Sequence, residues 1–220
     1  MEDRTAALRY LPILHFDRAE TIPLRAVGYA VLRRSGASPS FRRYLAVPEG
    51  LVVEYQYYWD YDIQHMYDLE HIWVYVNAQG QVYHAEGSFH GRYMNLLVPG
   101  IAGALPPENG HVHAFCQPGK HAFLPAGALF GLLPDWKECC NDLSGGDVLV
   151  GGPFLGRYFP TPGENARSRR YIRRHLAFAP TLDFAPLPTP EEAVMPWEAL
   201  YAAIPGWIAQ ECARLKEDEP

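Results

Sequence analysis

The sequence predicts an all-β protein, and three observations carry that prediction. The chain has 220 residues, of which 19 are Gly and 20 are Pro. It also has 14 Tyr, 10 Phe and 5 Trp, and its apolar runs are short. Many turn formers between short, aromatic-rich segments suit strands joined by turns better than a helical bundle. The length fits one domain with a small appendage, long enough to bury a core without disulfides or structural ions.

The elements follow in order. Leu11 to Phe16 and Val27 to Leu32 read as short apolar strands, separated by DRAETIP, whose Pro23 ends any ladder. Arg33 to Arg43 reads as a polar loop. LVVEYQYYW, Leu51 to Trp59, has the β-branched and aromatic content of a strand and runs into an acidic segment, DYDIQHMY, read as a loop. DLEHIWVYV, Asp68 to Val76, is a second strand, and NAQGQ turns it into VYHAEGSFHG, giving a hairpin. Met94 to Val98 is a further apolar segment, HVHAFCQPGKHAFL reads as a hairpin around Pro118-Gly119, and Gly146 to Phe154 as a strand broken by glycines. Thr189, Pro190 and two acids are a helix N-terminus, and Pro205 should divide the tail into two short helices. Their apolar stripe is Trp197, Leu200, Tyr201, Ile204, Ile208, Cys212 and Leu215.

A formal net charge of −6 opposes whole-surface attraction to nucleic acid or to an anionic membrane. No run of 18 apolar residues is present, so no transmembrane segment is expected. The N-terminus lacks the apolar stretch and small-residue cleavage site of a secretory signal, and a cytoplasmic location is the expectation. Cys116, Cys139, Cys140 and Cys212 have neither C-x-x-C spacing nor a disulfide-scaffold pattern, so they should be thiols.

The densest chemistry lies between Tyr57 and Val76, where Asp60, Asp62, His65, Asp68, Glu70 and His71 stand among aromatic residues. Alternate side chains of a strand share a face, so Asp68 and Glu70 should point together while Leu69, His71 and Trp73 point the other way. Carboxylates joined by one imidazole are the ligands of Mg, Ca or Mn, and Zn also accepts them. A solvated acidic rim paired with arginines explains the same composition, and spacing alone leaves both open.

His65, Asp68 and Glu70, as H-x-x-D-x-E before a hydrophobic strand, resemble the heptapeptide G-H-R-H-D-W-E of the necrosis- and ethylene-inducing peptide-like proteins. YQYYWDYD, with Asp62, is similar to that family's aromatic strand ending in a ligand Asp. SFHG resembles its S-x-H-G, and HVHAFCQPGKHAF its following hairpin. The opening, Tyr10 to Gly28, is similar to proteins related to vacuolar protein sorting protein 62. The resemblance implies a β-sandwich with a divalent cation in an acidic cavity that receives a sugar headgroup of a sphingolipid. It implies Asp62, His65, Asp68 and Glu70 as ligands and His90 as a cavity wall. Asp60 and His121 are added from their positions, His121 because its hairpin can return it to the cavity.

Of the other histidines, His84 and His90 share strand parity, as do His111 and His113, which permits a shared site; His15 and His175 read as core or rim residues. The five arginines between Glu164 and Leu176 read as a solvated loop, and LVGGPFLG lacks the strand–helix context of a nucleotide site. The expectation is therefore a β-sandwich over residues 1–188 with a helical appendage over 189–220. It carries a divalent cation and a small polar ligand, a carbohydrate or anionic lipid headgroup. A metal-dependent hydrolase, with His90 or His121 moving protons, is the alternative, and a structural metal site is a third.

Overall fold

β-Branched and aromatic residues from Leu51 onward build two long neighbouring strands in the computed structural model, which describes residues 1–217. In chain order, helix α1 (Asp3–Arg9) precedes β1 (Ile13–Asp17), β2 (Ala26–Leu32), β3 (Gly36–Ala37) and β4 (Tyr44–Leu45). Then come β5 (Leu51–Asp62), β6 (His65–Val76), β7 (Val82–Phe89), β8 (Arg92–Asn95), β9 (His113–Cys116) and β10 (Phe123–Leu124). Helix α2 (Pro162–Tyr171), β11 (Phe184–Leu187), β12 (Val194–Pro196) and helix α3 (Trp197–Glu217) complete it.

One sheet has the strand order β12-β2-β5-β6-β7-β8 and the other β10-β9-β1-β11, while β3 and β4 form a small ladder. Neighbours are antiparallel except β12 with β2 and β1 with β9. One cluster of buried side chains draws on both large sheets, including Tyr55, Tyr57, Trp59, Ile72 and Val74 from one and Leu14, Ala114 and Phe123 from the other. Tyr57 meets Phe123 edge to face at 5.4 Å between centroids. Gly87 of β7 is needed at this junction, because a Cβ there would fall 2.6 Å from Phe123 Cβ. Full burial of each large apolar side chain contributes about 1.5–3 kcal/mol, which is what holds these layers against chain entropy.

Several elements differ from the sequence reading. The acidic segment is not a loop: β5 runs through Asp62 and β6 begins at His65, leaving only Ile63 and Gln64 as the turn. Gly146 to Phe154 contains no strand beyond an isolated bridge of Val148 to Met66. The arginine-rich stretch is helical, because Thr161 and Glu164 form a reciprocal capping box and Pro162 sits in the first turn. Arg169 pairs with Asp147 at 3.0 Å, and Arg173 Nε donates to the Ser144 carbonyl at 2.9 Å.

At the C-terminus, Thr189 and Pro190 precede a 3-10 turn and strand β12, and the helix starts only at Trp197. Pro205 lies inside one continuous helix instead of dividing it. Proline removes one helical hydrogen bond, but the burial of Trp197, Leu200, Ile204, Ile208, Cys212 and Leu215 holds both halves on one axis. The helix covers the outer face of the larger sheet: Trp207 lies 5.5 Å from Tyr58, and a Cβ on Gly28 would fall 2.8 Å from Leu200 Cδ2. Among the described residues no helix is long and apolar enough to cross a membrane. All four cysteines are free thiols and buried.

Candidate functional site

Strand register determines which acids meet. Tyr57 pairs with Glu70 and Trp59 with Asp68, so both carboxylates lie on the face that carries Tyr57 and Trp59 toward the smaller sheet. From that sheet, the turn after β9 approaches. Gln117 N donates to Ala122 O at 2.8 Å and His121 N to Gln117 O at 2.9 Å, which folds Pro118, Gly119 and Lys120 into a tight loop. Ile63 N donates to Gly119 O at 2.7 Å and so fastens this loop to the β5–β6 turn. Gly119 has φ +65°, and a Cβ there would lie 2.9 Å from Ile63 Cβ, so glycine is required on both counts.

The loop delivers two side chains to the acids. Lys120 Nζ stands 3.0 Å from Asp62 Oδ2. His121, fully buried, stacks on Trp59 at 4.2 Å between centroids and places Nδ1 2.8 Å from Asp68 Oδ2. On the other side of the strand pair, Ser88 Oγ accepts from His71 N at 2.6 Å and donates to Glu70 Oε2. His65 Nδ1 lies 2.7 Å from the Tyr67 carbonyl, which can only accept, so Nδ1 carries the proton. That leaves Nε2 as the nitrogen facing Asp62 Oδ2, at 3.6 Å. His90 Nε2 bonds Gln117 Oε1 at 2.8 Å at the rim.

The cluster is charge-dense and poorly hydrated. Asp68 is held well above the ordinary carboxylate value, by burial first and the Asp62 charge second, with His65 and Lys120 opposing. Glu70 is likewise pushed well up by burial and then by Asp68, while the Ser88 hydrogen bond opposes. Burial pushes His121 down, so its neutral form is favoured. Three carboxylates thus face one ammonium across a site whose neutral state requires protons or a cation.

Of the seven residues singled out in the sequence, Asp62, His65, Asp68, Glu70 and His121 lie near enough to act on one another's charge, while His90 reaches only Gln117, at the base of the loop. Asp60 is not among them. It pairs with Arg25 at 2.7 Å and accepts from Tyr58, beside Trp207 of α3. His71 points away from the acids, as parity requires, bonding Ser40 Oγ at 2.9 Å and stacking on Trp73. His84 pairs with Glu86, His111 bonds the Leu11 carbonyl and His113 bonds His15, so each has its own partner in place of the sharing that parity permits. The sequence reading missed Glu20, whose Oε2 accepts from Gly119 N at 2.7 Å, because it lies 99 residues away. Ser88 was visible only as the serine of SFHG. Among the described residues, no three His, Cys, Asp or Glu side chains stand in an arrangement that holds a metal ion.

No family profile and no curated protein matches the chain. Among solved structures, the fold has a distant likeness to necrosis- and ethylene-inducing peptide-like proteins. One is NLPPya in complex with glucosamine, at 15% identity over 55% of this chain and 65% of that one, with a TM-score of 0.38. Another is described as a toxin fold as basis for microbial attack and plant defense, at 17% identity over 54% and 66%, with a TM-score of 0.35. A third is a triple mutant of NLPPya, at 15% identity over 71% and 90%, with a TM-score of 0.34. The chain spans just under two thirds of the first two.

Proposed function

We propose that the protein is a β-sandwich that binds a hard divalent cation, Mg, Ca or Mn, at Asp62, His65, Asp68 and Glu70, and through it a small hydroxylated ligand such as a sugar or lipid headgroup. The observation that carries this reading is the imbalance of three clustered carboxylates against the single ammonium of Lys120. The donor chemistry suits such an ion, because oxygen ligands dominate and the tautomer of His65 leaves Nε2 without a proton; the side chains, which do not stand in a metal-holding arrangement, would draw together around it. When bound, the ion would neutralise the carboxylates and polarise a ligand oxygen. Lys120 would leave Asp62, and His121 would keep Asp68 in place from behind. His90 and Glu70, at the rim, would meet the ligand.

A second reading rests on the 3.0 Å contact of Lys120 with Asp62. There the ammonium is a built-in counter-ion and the cluster is scaffolding. Thermal melts of chelator-stripped protein with each cation decide between them. At about one hundred times Kd a cation should add roughly 2.7 kcal/mol, raising the midpoint by about 5–11 °C at this length. The double variant Asp68→Asn, Glu70→Gln should lose that rise, and Lys120→Met should enlarge it. No rise in the wild-type protein with any cation supports the counter-ion reading instead. Glucosamine, present in one of the similar structures, is the first ligand to titrate against the cation-loaded protein.

A further inference from the structure

The 3-10 turn Glu138–Cys140 sets two adjacent cysteines against the loop that carries Lys120 and His121. Cys139 Sγ lies 3.6 Å from Cys140 Sγ, and Cys140 Sγ lies 3.2 Å from the Pro118 carbonyl oxygen. A Cβ on Gly119 would fall 3.2 Å from the same sulfur. Pro134, Asp135, Lys137 and Glu138 around the pair are exposed, and although all four cysteines belong to the buried core, Cys139 keeps the largest exposed fraction, 7% against 4% for Cys212, 1% for Cys116 and none for Cys140. We propose that Cys139 and Cys140 form a reactive vicinal dithiol, a modification site for peroxides and trivalent arsenicals, whose closure is felt at the acidic cluster through the Pro118–Lys120 loop.

The electrostatics agree with the geometry. Cys139 is held below the ordinary thiol value, chiefly by its hydrogen bond with Cys140 and also by the Lys120 ammonium, against burial. Cys140 is pushed up by the same hydrogen bond and by burial. This is the asymmetry of an attacking thiolate beside a resolving thiol. The Cys139 thiolate attacks a peroxide oxygen, forming an S–O bond as the O–O bond breaks and hydroxide leaves. Cys140 then attacks the sulfenic sulfur; an S–S bond forms, the S–O bond breaks, and water departs with the thiol proton. The dithiol loses two electrons and the peroxide gains them. With an arsenoxide, two As–S bonds form and water is released without electron transfer. Adjacent cysteines close only into a small strained ring, so the disulfide is readily reduced again, as regulatory disulfides are. Closure draws Cys140 Sγ away from Pro118 and so disturbs the loop that positions Lys120 and His121. This chemistry holds whether or not the acids take up a cation.

The test treats the folded, reduced full chain with hydrogen peroxide, then maps thiols by alkylation and mass spectrometry while following the His121 ring by NMR. The expected result is loss of two hydrogens from the peptide containing Cys139 and Cys140, restored by dithiothreitol and prevented by one equivalent of phenylarsine oxide. The His121 resonance should shift on oxidation and return on reduction. In Cys140→Ser, oxidation should stop at a sulfenic acid on Cys139 that dimedone traps; Cys139→Ser should give no adduct. Retention of both thiols in the wild-type chain, or earlier oxidation of Cys116 or Cys212, overturns the proposal without reference to any variant. Oxidation of the pair with an unmoved His121 resonance overturns the link to the cluster.

Discussion

His121 Nδ1 and Asp68 Oδ2 stand 2.8 Å apart, with the imidazole lying flat on Trp59, so one buried hydrogen bond joins the two large sheets at their acidic end. Burial disfavours the charged form of each partner, moving Asp68 up and His121 down. The pair therefore favours the state with a proton on the carboxyl and none added to the imidazole.

A pH dependence follows for the cation-free protein. Asp68 and Glu70 have folded pKa values above their unfolded ones, near 3.8 and 4.5. The folded state then holds more protons across that window, and stability falls as pH rises from the unfolded values toward the raised ones. In the Asp68→Asn, Glu70→Gln double variant this fall should vanish. Urea midpoints taken at half-unit pH steps with chelator present will show whether the two curves diverge as pH rises.

His71 gives the opposite slope. Burial takes it from 6.5 to about 3, so the unfolded chain binds the proton that the folded one refuses. Stability present above pH 6.5 is lost progressively as pH falls toward about 3. His15, lowered to about 4, adds to the same loss. His71→Gln should leave a shallower acid limb, carrying the contribution of His15 but not that of His71. Equal acid slopes in both proteins would contradict the assignment.

Gly119→Ala tests the loop that fastens the sheets. The new Cβ meets Ile63 at 2.9 Å and Cys140 at 3.2 Å, at a φ of +65°. Overpacking of this kind costs about 1–3 kcal/mol, which at this length lowers the melting midpoint by about 2–12 °C. Calorimetry checks it directly.

Pro205→Ala should stabilise the protein. Proline within a helix costs about 3 kcal/mol relative to alanine, and its helix partner, the Tyr201 carbonyl, regains a donor. A gain of about 1–3 kcal/mol in the urea midpoint is expected, and a loss would show that the ring itself packs against the sheet.

The strands that position the acids were legible because β5 and β6 are written in β-branched and aromatic residues, and period-two parity separated Asp68 and Glu70 from His71 correctly. The 12-residue lengths of both strands were not, since Asp60 and Asp62 read locally as turn formers while strand β5 runs through both. Asp60 was misplaced for the same reason: with the segment read as a loop, nothing assigned it to a face, and its partner Arg25 lies just before β2, 35 residues earlier. Helix α2 was hidden by its arginines, although Thr161, Pro162 and Glu164 held its start signal. The Pro205 expectation failed because a local rule cannot weigh the apolar stripe docked on β2 and β5. Glu20 and the cysteine pair meet the site only through tertiary contacts.

The order of strands also bears on synthesis. β1 lies between β9 and β11, and β2 between β5 and β12, so early-made strands wait for partners as distant as Phe184–Leu187 and Val194–Pro196. Arg4 reaches the Val194 carbonyl at 2.8 Å across a separation of 190 residues. Such high contact order makes for slow closure. A nascent chain therefore carries β1 and β2 with open edges through most of its translation, and these two strands are where a chaperone, or a second nascent copy, would first find purchase.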